Sequence, residues 1–173
     1  EIHSFVPGPV KKNLVVAEND DTSLYPPDRW APVFEAAARQ IVKESGVTRG
    51  YCLVYGLETG RLAYELARRT DLMIYAIEPD ARKVAVARRM LETAGVYGAR
   101  VCVDQGSLSA LPYSDYFANL VVSEHALVNG SLEGTSAELL RVLKPIGGAL
   151  MIGQPAEARG VAPALPATDL KKW

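Results

Sequence analysis

The chain has 173 residues, one domain's length, and 49% of them are apolar, enough for one full core. Nineteen Lys and Arg nearly balance twenty Asp and Glu, for a formal net charge of −1. No basic block and no apolar run of membrane-span length occur, which leaves no footing for a non-specific nucleic-acid or membrane surface.

Residues 1–27 read as an irregular lead-in, with Leu14-Val15-Val16-Ala17 as a short edge strand and Pro26-Pro27 as its end. A domain is expected over 28–155. Asp28 suits an N-cap, and Val33, Phe34, Ala37, Ala38, Ile41 and Val42 repeat at helical spacing until Gly46. Tyr51–Tyr55 is a continuous apolar run of strand length. Arg61–Arg69 is helical, Met73–Ile77 a second strand, and Asp80–Ala94 a second helix of this alternating part. Val101–Val103 and Leu120–Val122 give a third and a fourth strand. A helix over Ser136–Leu143 ends at Lys144-Pro145, and Ala149–Ile152 gives a fifth strand. The stretch 156–173 is rich in Pro and Ala and is expected to be a linker-like tail. Strands that are apolar throughout are buried on both faces. Alternating with helices, they predict an α/β Rossmann-like three-layer sandwich around a parallel sheet.

In such a sheet, ligands bind beyond the carboxyl ends of the strands. Gly56-Leu57-Glu58-Thr59-Gly60-Arg61 follows the first strand and opens a helix, where glycine permits positive φ and close backbone approach. Glu78-Pro79-Asp80 follows the second strand. Glu78 stands 18 positions beyond Gly60, close to the spacing of an acid that grips ribose hydroxyls. The order of these features points to an adenosine-containing cofactor. A dinucleotide loop asks for glycine at positions 56, 58 and 61 and is matched once. A loop for S-adenosylmethionine (SAM) asks for it at 56, 58 and 60 and is matched twice.

The stretch Cys52–Arg69 resembles motif I of the class I SAM-dependent methyltransferases, and Tyr75–Asp80 their motif II, with Glu78 in the ribose place. Gly106–Tyr113 is similar to the segment that borders adenine, Asn119–Ser123 to motif IV, and Leu143–Leu150 to the turn before the fifth strand. The resemblance covers about residues 30–155. It implies a sheet of order 3-2-1-4-5, truncated relative to seven-stranded methyltransferases. It also implies methyl transfer from SAM to an unidentified, small-molecule acceptor, with S-adenosylhomocysteine as product. Cofactor contacts would fall to Gly56, Glu58, Gly60, Glu78, Pro79, Ser107, Leu108 and Ser123. The acceptor would enter near Ser123, Glu124 and His125. The phrase Gln105–Ser123 is similar to methyltransferase-like domains embedded in β-propeller (PQQ-repeat-like) proteins. Other domains of a larger parent chain are therefore expected partners, as suits a chain that starts without Met.

This sequence departs from the family at several places. Val54 and Asn119 replace acidic residues, Ser107 replaces an aspartate near adenine, and Glu58 replaces the central loop glycine. A carboxylate at position 58 would repel the carboxylate of SAM, with Arg61 as a nearby cation to relieve it, unless it turns to solvent. These departures support an alternative, a non-catalytic SAM-binding or regulatory domain; an NAD-dependent oxidoreductase is the third reading, disfavoured by the glycine count. His125 and Glu124 are the only acid–base candidates, and for both a solvated loop side chain is the favoured reading. Trp30 is read as a packing residue, whereas Tyr113, Tyr116 and Phe117 suit equally packing of this domain or a partner domain and stacking on a substrate. Cys52 and Cys102 are read as buried free thiols, no metal-ligand spacing occurs, and with no signal segment the expected location is cytoplasmic.

Overall fold

The computed structural model describes Tyr25 and residues 27–173; the strand expected at Leu14–Ala17 lies outside them. A five-stranded parallel sheet runs in the order β3-β2-β1-β4-β5, from β1 (Arg49–Tyr55), β2 (Asp71–Glu78), β3 (Val101–Gln105), β4 (Leu120–Val122) and β5 (Ala149–Met151). The switch point falls between β1 and β4, where Cys52, Leu53 and Val54 pair with Leu120, Val121 and Val122. Its residues are apolar on both faces because both faces are covered.

One face packs against α1 (Ala31–Ser45), α2 (Arg61–Arg69) and α3 (Ala81–Thr93), and its core includes Val33, Val54, Leu62, Leu66, Ile74 and Leu91. A fully buried Leu such as Leu62 or Leu66 contributes about 2 kcal/mol. The other face carries Leu53, Tyr55, Ile77 and Val121 under α5 (Ser136–Val142) and the 107–118 loop. At its outer end Tyr51, Tyr75, Tyr113 and Phe117 interlock, with Tyr113 and Phe117 stacked at 5.0 Å, so of the two roles open to them Tyr113 and Phe117 take packing, whereas Tyr116 is exposed.

The helix boundaries follow local chemistry. The Asp28 carboxylate accepts from the N–H groups of Trp30 and Ala31 and closes the turn that leads into α1, but Trp30 takes the N-cap place, so the helix starts two residues later than its sequence implies. The Asp80 side chain caps α3 by accepting from Arg82 N–H. The short helix α4 (Glu124–Asn129) forms where the sequence predicts a loop. Its period is too short to show, yet Ser123 Oγ accepts from Ala126 N–H and Gly130 closes it.

The tail expected as a linker is ordered against the domain. A 3₁₀ turn at Ala156–Ala158 buries Ala158, and α6 (Ala167–Lys172) leads to Trp173, whose carbonyl accepts from Ser136 Oγ. Gln154 holds the intervening loop through Leu127 O, Pro163 O and Leu165 N. Cys52 is buried and burial raises its thiol pKa; Cys102, expected to be buried too, is partly exposed because it lies on the outer part of β3. Among the described residues no helix is long and apolar enough to cross a membrane.

Candidate functional site

The parallel topology brings the loops after β1, β2, β3 and β4 to one edge of the sheet. Glu78 ends β2 there and is only 4% exposed. Its Oε2 accepts from Leu57 N–H at 3.1 Å and its Oε1 from Asp80 N–H at 3.0 Å. The carboxylate thus clamps the loop after β1 to the turn that starts α3. Beside it opens a cleft of about 730 Å3 lined by Pro79, Gln105, Gly106, Ser107, Leu108, Ser109, Glu133 and Gly134. Ser107 is exposed to this cleft, whereas Leu108 is buried beneath it.

Tyr55, at the end of β1, fixes the two sides of the cleft. Its hydroxyl donates to Leu108 O at 2.8 Å and accepts from Thr135 N–H at 3.2 Å. Burial pushes its phenol up to about 12, so it stays a donor at any physiological pH. The run of apolar residues around Tyr55 hides this role in the sequence.

Glu58 does not turn to solvent. Its Oε1 accepts from Lys83 Nζ at 2.7 Å and from Asn129 Nδ2 at 2.7 Å, and lies 2.8 Å from His125 Nδ1. Burial pushes its carboxyl up, but the hydrogen bonds from His125 and Lys83 outweigh that and hold it below the usual carboxylate range. The relieving cation is therefore Lys83 of α3. Arg61, expected in that role, points the other way: it pairs with Asp28 at 2.9 Å and lies over the rings of Tyr25 and Phe34. Position 83 is 25 residues from Glu58, so no local pattern announces the pair.

Neither acid–base candidate is a solvated loop side chain. His125 packs directly on the first loop glycine: its N–H donates to Gly56 O at 2.9 Å, and a Cβ added to Gly56, whose φ is +67°, would meet His125 Cβ at 2.9 Å. Its Nε2 lies 3.0 Å from Ser131 Oγ, so both ring nitrogens have partners. Glu124 is fully buried. It accepts from the N–H groups of Thr59, Gly60 and Arg61 at 3.1–3.3 Å and from Thr59 Oγ1 at 3.1 Å. Burial pushes this carboxyl up against the pull of those donors. It satisfies the orphan N–H groups that open α2, the place where an anionic ligand group would otherwise sit.

The remaining expected residues divide. Pro79 lines the cleft. Gly60 takes φ +80° and faces α3, with Leu91 and Ala87 at 3.2–3.3 Å from an added Cβ, so it serves helix packing. Ser123 lies apart from these residues. Its hydroxyl is spent on capping α4, and it lines a separate cavity of about 130 Å3 between α1 and the end of β5. Asn119 lies at the opposite edge of the sheet, where it accepts from Tyr51 N–H and Lys144 Nζ. Among the described residues no cluster of His, Cys, Asp and Glu suits a metal ion.

The profile of a family described as "Methyltransferase domain" matches residues 53–147. A proposed S-adenosyl-L-methionine-dependent methyltransferase from Methanococcus maripaludis is similar in structure at 29% identity and TM-score 0.65, over 72% of this chain and 57% of its own. The [4+2]-cyclase SpnF is similar at 27% identity and TM-score 0.56, over 67% of this chain and 43% of its own. A geranyl diphosphate methyltransferase solved with SAM shares the fold at 15% identity and TM-score 0.56, over 67% of this chain and 47% of its own. No curated protein sequence matches. The chain thus spans about half the length of these structures, and the profile-matched region holds the end of β1, all of β2, β3 and β4, the Glu78 clamp and the Glu58 network. The order β3-β2-β1-β4-β5, the loop contacts at its carboxyl edge and the profile match agree, and this chain belongs to the methyltransferase domain family.

Proposed function

We propose that the chain is the cofactor-binding domain of a SAM-dependent methyltransferase, with SAM in the cleft beside Glu78 and S-adenosylhomocysteine as product. The observation that carries this reading is the placement of Glu78, a buried carboxylate at the end of β2 whose chain neighbour Pro79 lines an open cleft. Such a carboxylate, fixed by two backbone N–H groups, is set to accept from ribose hydroxyls without reorganising. Pro79, Ser107 and Leu108 then flank the base. The 5′ substituent faces the Gly56–Gly60 loop, as in other sheets of this topology.

The residues present fit the nucleoside end of SAM. At the amino-acid end the loop is met by His125 and Glu58 instead of open space. Bound SAM supplies an electrophilic methyl group. Its transfer is an in-line displacement that depends on alignment, so the chain's part is positioning, and no residue here is assigned as acid or base. Glu124 and Ser123, spent on helix caps, are withdrawn from the acceptor mouth, which leaves His125 and Ser131 at its rim. A small-molecule acceptor and companion domains in a longer chain complete the proposal; the latter is supported by the 57% span of the Methanococcus maripaludis structure. The Glu58 network favours a second reading, a domain that binds an adenosyl ligand without turning it over.

Calorimetric titration with SAM, S-adenosylhomocysteine and NAD tests the proposal. An adenosyl ligand should bind and NAD should not. Glu78→Ala should weaken binding at least about tenfold, since each charge-assisted hydrogen bond to ribose contributes about 1.5–3 kcal/mol. Unchanged affinity in that variant, or preference for NAD, overturns the assignment.

A further inference from the structure

We propose that Glu58 makes the cleft select adenosyl ligands that lack an α-carboxylate, by occupying the donors that such a carboxylate would need. This rests on the reading of the cleft as an adenosyl site.

With the ribose at Glu78, the 5′ substituent runs toward the loop after β1, because Leu57 N–H already joins that loop to Glu78 Oε2. Three side-chain donors converge there from α3 and α4: Lys83 Nζ, His125 Nδ1 and Asn129 Nδ2. All three lie within 2.7–2.8 Å of one oxygen, Glu58 Oε1. That is the donor set a ligand carboxylate would use, and the chain fills it with its own carboxylate. The backbone alternative is closed as well, since the N–H groups of Thr59, Gly60 and Arg61 are bound to Glu124.

What remains facing the 5′ group is acceptor in character. Glu133 Oε2 lies 3.4 Å from the Cβ position of Gly56 and 3.6 Å from His125 Nδ1. A ligand carboxylate entering this space meets Glu58 and Glu133 and a Lys83 whose charge Glu58 already balances, whereas a sulfonium or ammonium meets complementary charge. Substituting glycine at position 58 would empty the donor set. The glutamate therefore sets specificity by competition within the chain, and the surrounding loop keeps the fold of the family.

The test compares SAM with decarboxylated SAM, the same sulfonium without its α-carboxylate, by calorimetry on the whole chain. Methylthioadenosine, which carries no charge at the 5′ end, serves as the nucleoside control. The wild type should bind decarboxylated SAM at least about fivefold more tightly than SAM, the discrimination expected of one like-charge contact near 4 Å in a well-solvated site. Glu58→Gln and Glu58→Ala should bring the ratio toward one by tightening SAM, while methylthioadenosine affinity stays the same. Thermal melts of both variants identify any loss of fold, and either folded variant suffices. SAM binding as tight as decarboxylated SAM in the wild type overturns the inference, as does a ratio that Glu58 variants leave unchanged. If methylthioadenosine binds in a Glu78-dependent way without such discrimination, the inference fails and the adenosyl site stands. If none of the three ligands binds the folded chain, both fail.

Discussion

Lys83 Nζ lies 2.7 Å from Glu58 Oε1, so the first turn of α3 is tied to the loop after β1. Both side chains keep part of their surface in water, and the pair is correspondingly modest, about 1 kcal/mol. Its pH dependence is nonetheless readable. Glu58 is held below the ordinary glutamate range, so its share of stability is present above that range and is lost as pH falls through the lowered value. For Lys83, burial pulls the ammonium down but Glu58 outweighs it and holds it above the ordinary lysine range; its share is present below that range and is lost as pH rises through the raised value.

Lys83→Met should therefore lower stability by about 1 kcal/mol near neutrality and by less at both extremes. Urea unfolding of wild type and variant at matched acidic, neutral and alkaline pH checks this. Taking the difference at each pH isolates the pair from the groups that both proteins share. An undiminished difference in strong acid would show that Lys83 acts through packing.

Glu124→Ala should be among the most damaging single changes outside the apolar core. It strands three backbone N–H groups at the start of α2 and leaves a space where a fully buried side chain stood. The expected loss is about 2–4 kcal/mol. Glu124→Gln, which keeps one acceptor oxygen, should recover part of it. A loss below about 0.5 kcal/mol, within the range of ordinary surface substitutions, would mean water replaces the carboxylate and the cap is dispensable.

Tyr55→Phe removes one hydroxyl that serves both walls of the cleft. Stability should fall by about 1 kcal/mol, the usual worth of a buried hydrogen bond pair that water can partly replace. Amide exchange should quicken for Thr135, whose N–H donates to that hydroxyl, and for Ser109 on the opposite wall. Exchange elsewhere in β1 should stay slow. A variant with unaltered exchange on both walls would show that the loops hold their places without Tyr55.

The sheet was legible in the sequence because each strand is a short apolar run between turn formers. Burial on both faces then leaves no other place for Cys52–Tyr55 or Ile74–Ile77 than the middle of a covered parallel sheet. Glu78 was legible for a similar reason: its position depends only on the length of one strand–helix–strand unit. Helix α4 escaped notice since six residues hold fewer than two turns of periodicity. Pro and Ala mark the tail as a linker by composition, whereas burial of Ala158 is set by what it meets.

The sequence by itself determined the alternation of strands and helices and the place of Glu78 at the carboxyl end of β2, since both follow from local periodicity and spacing, while the strand order also drew on the family resemblance. Only the tertiary structure decided the fate of the charges. It turned Arg61 toward Asp28 and brought Lys83, His125 and Asn129 to Glu58. It also buried Glu124 at the start of α2 and spent Ser123 on a helix cap. Each of these is a pairing between side chains or loops distant along the chain, or an orientation chosen between two nearby acceptors. Such choices are settled by desolvation and by which donors are left unsatisfied, and those quantities exist only once the chain has packed.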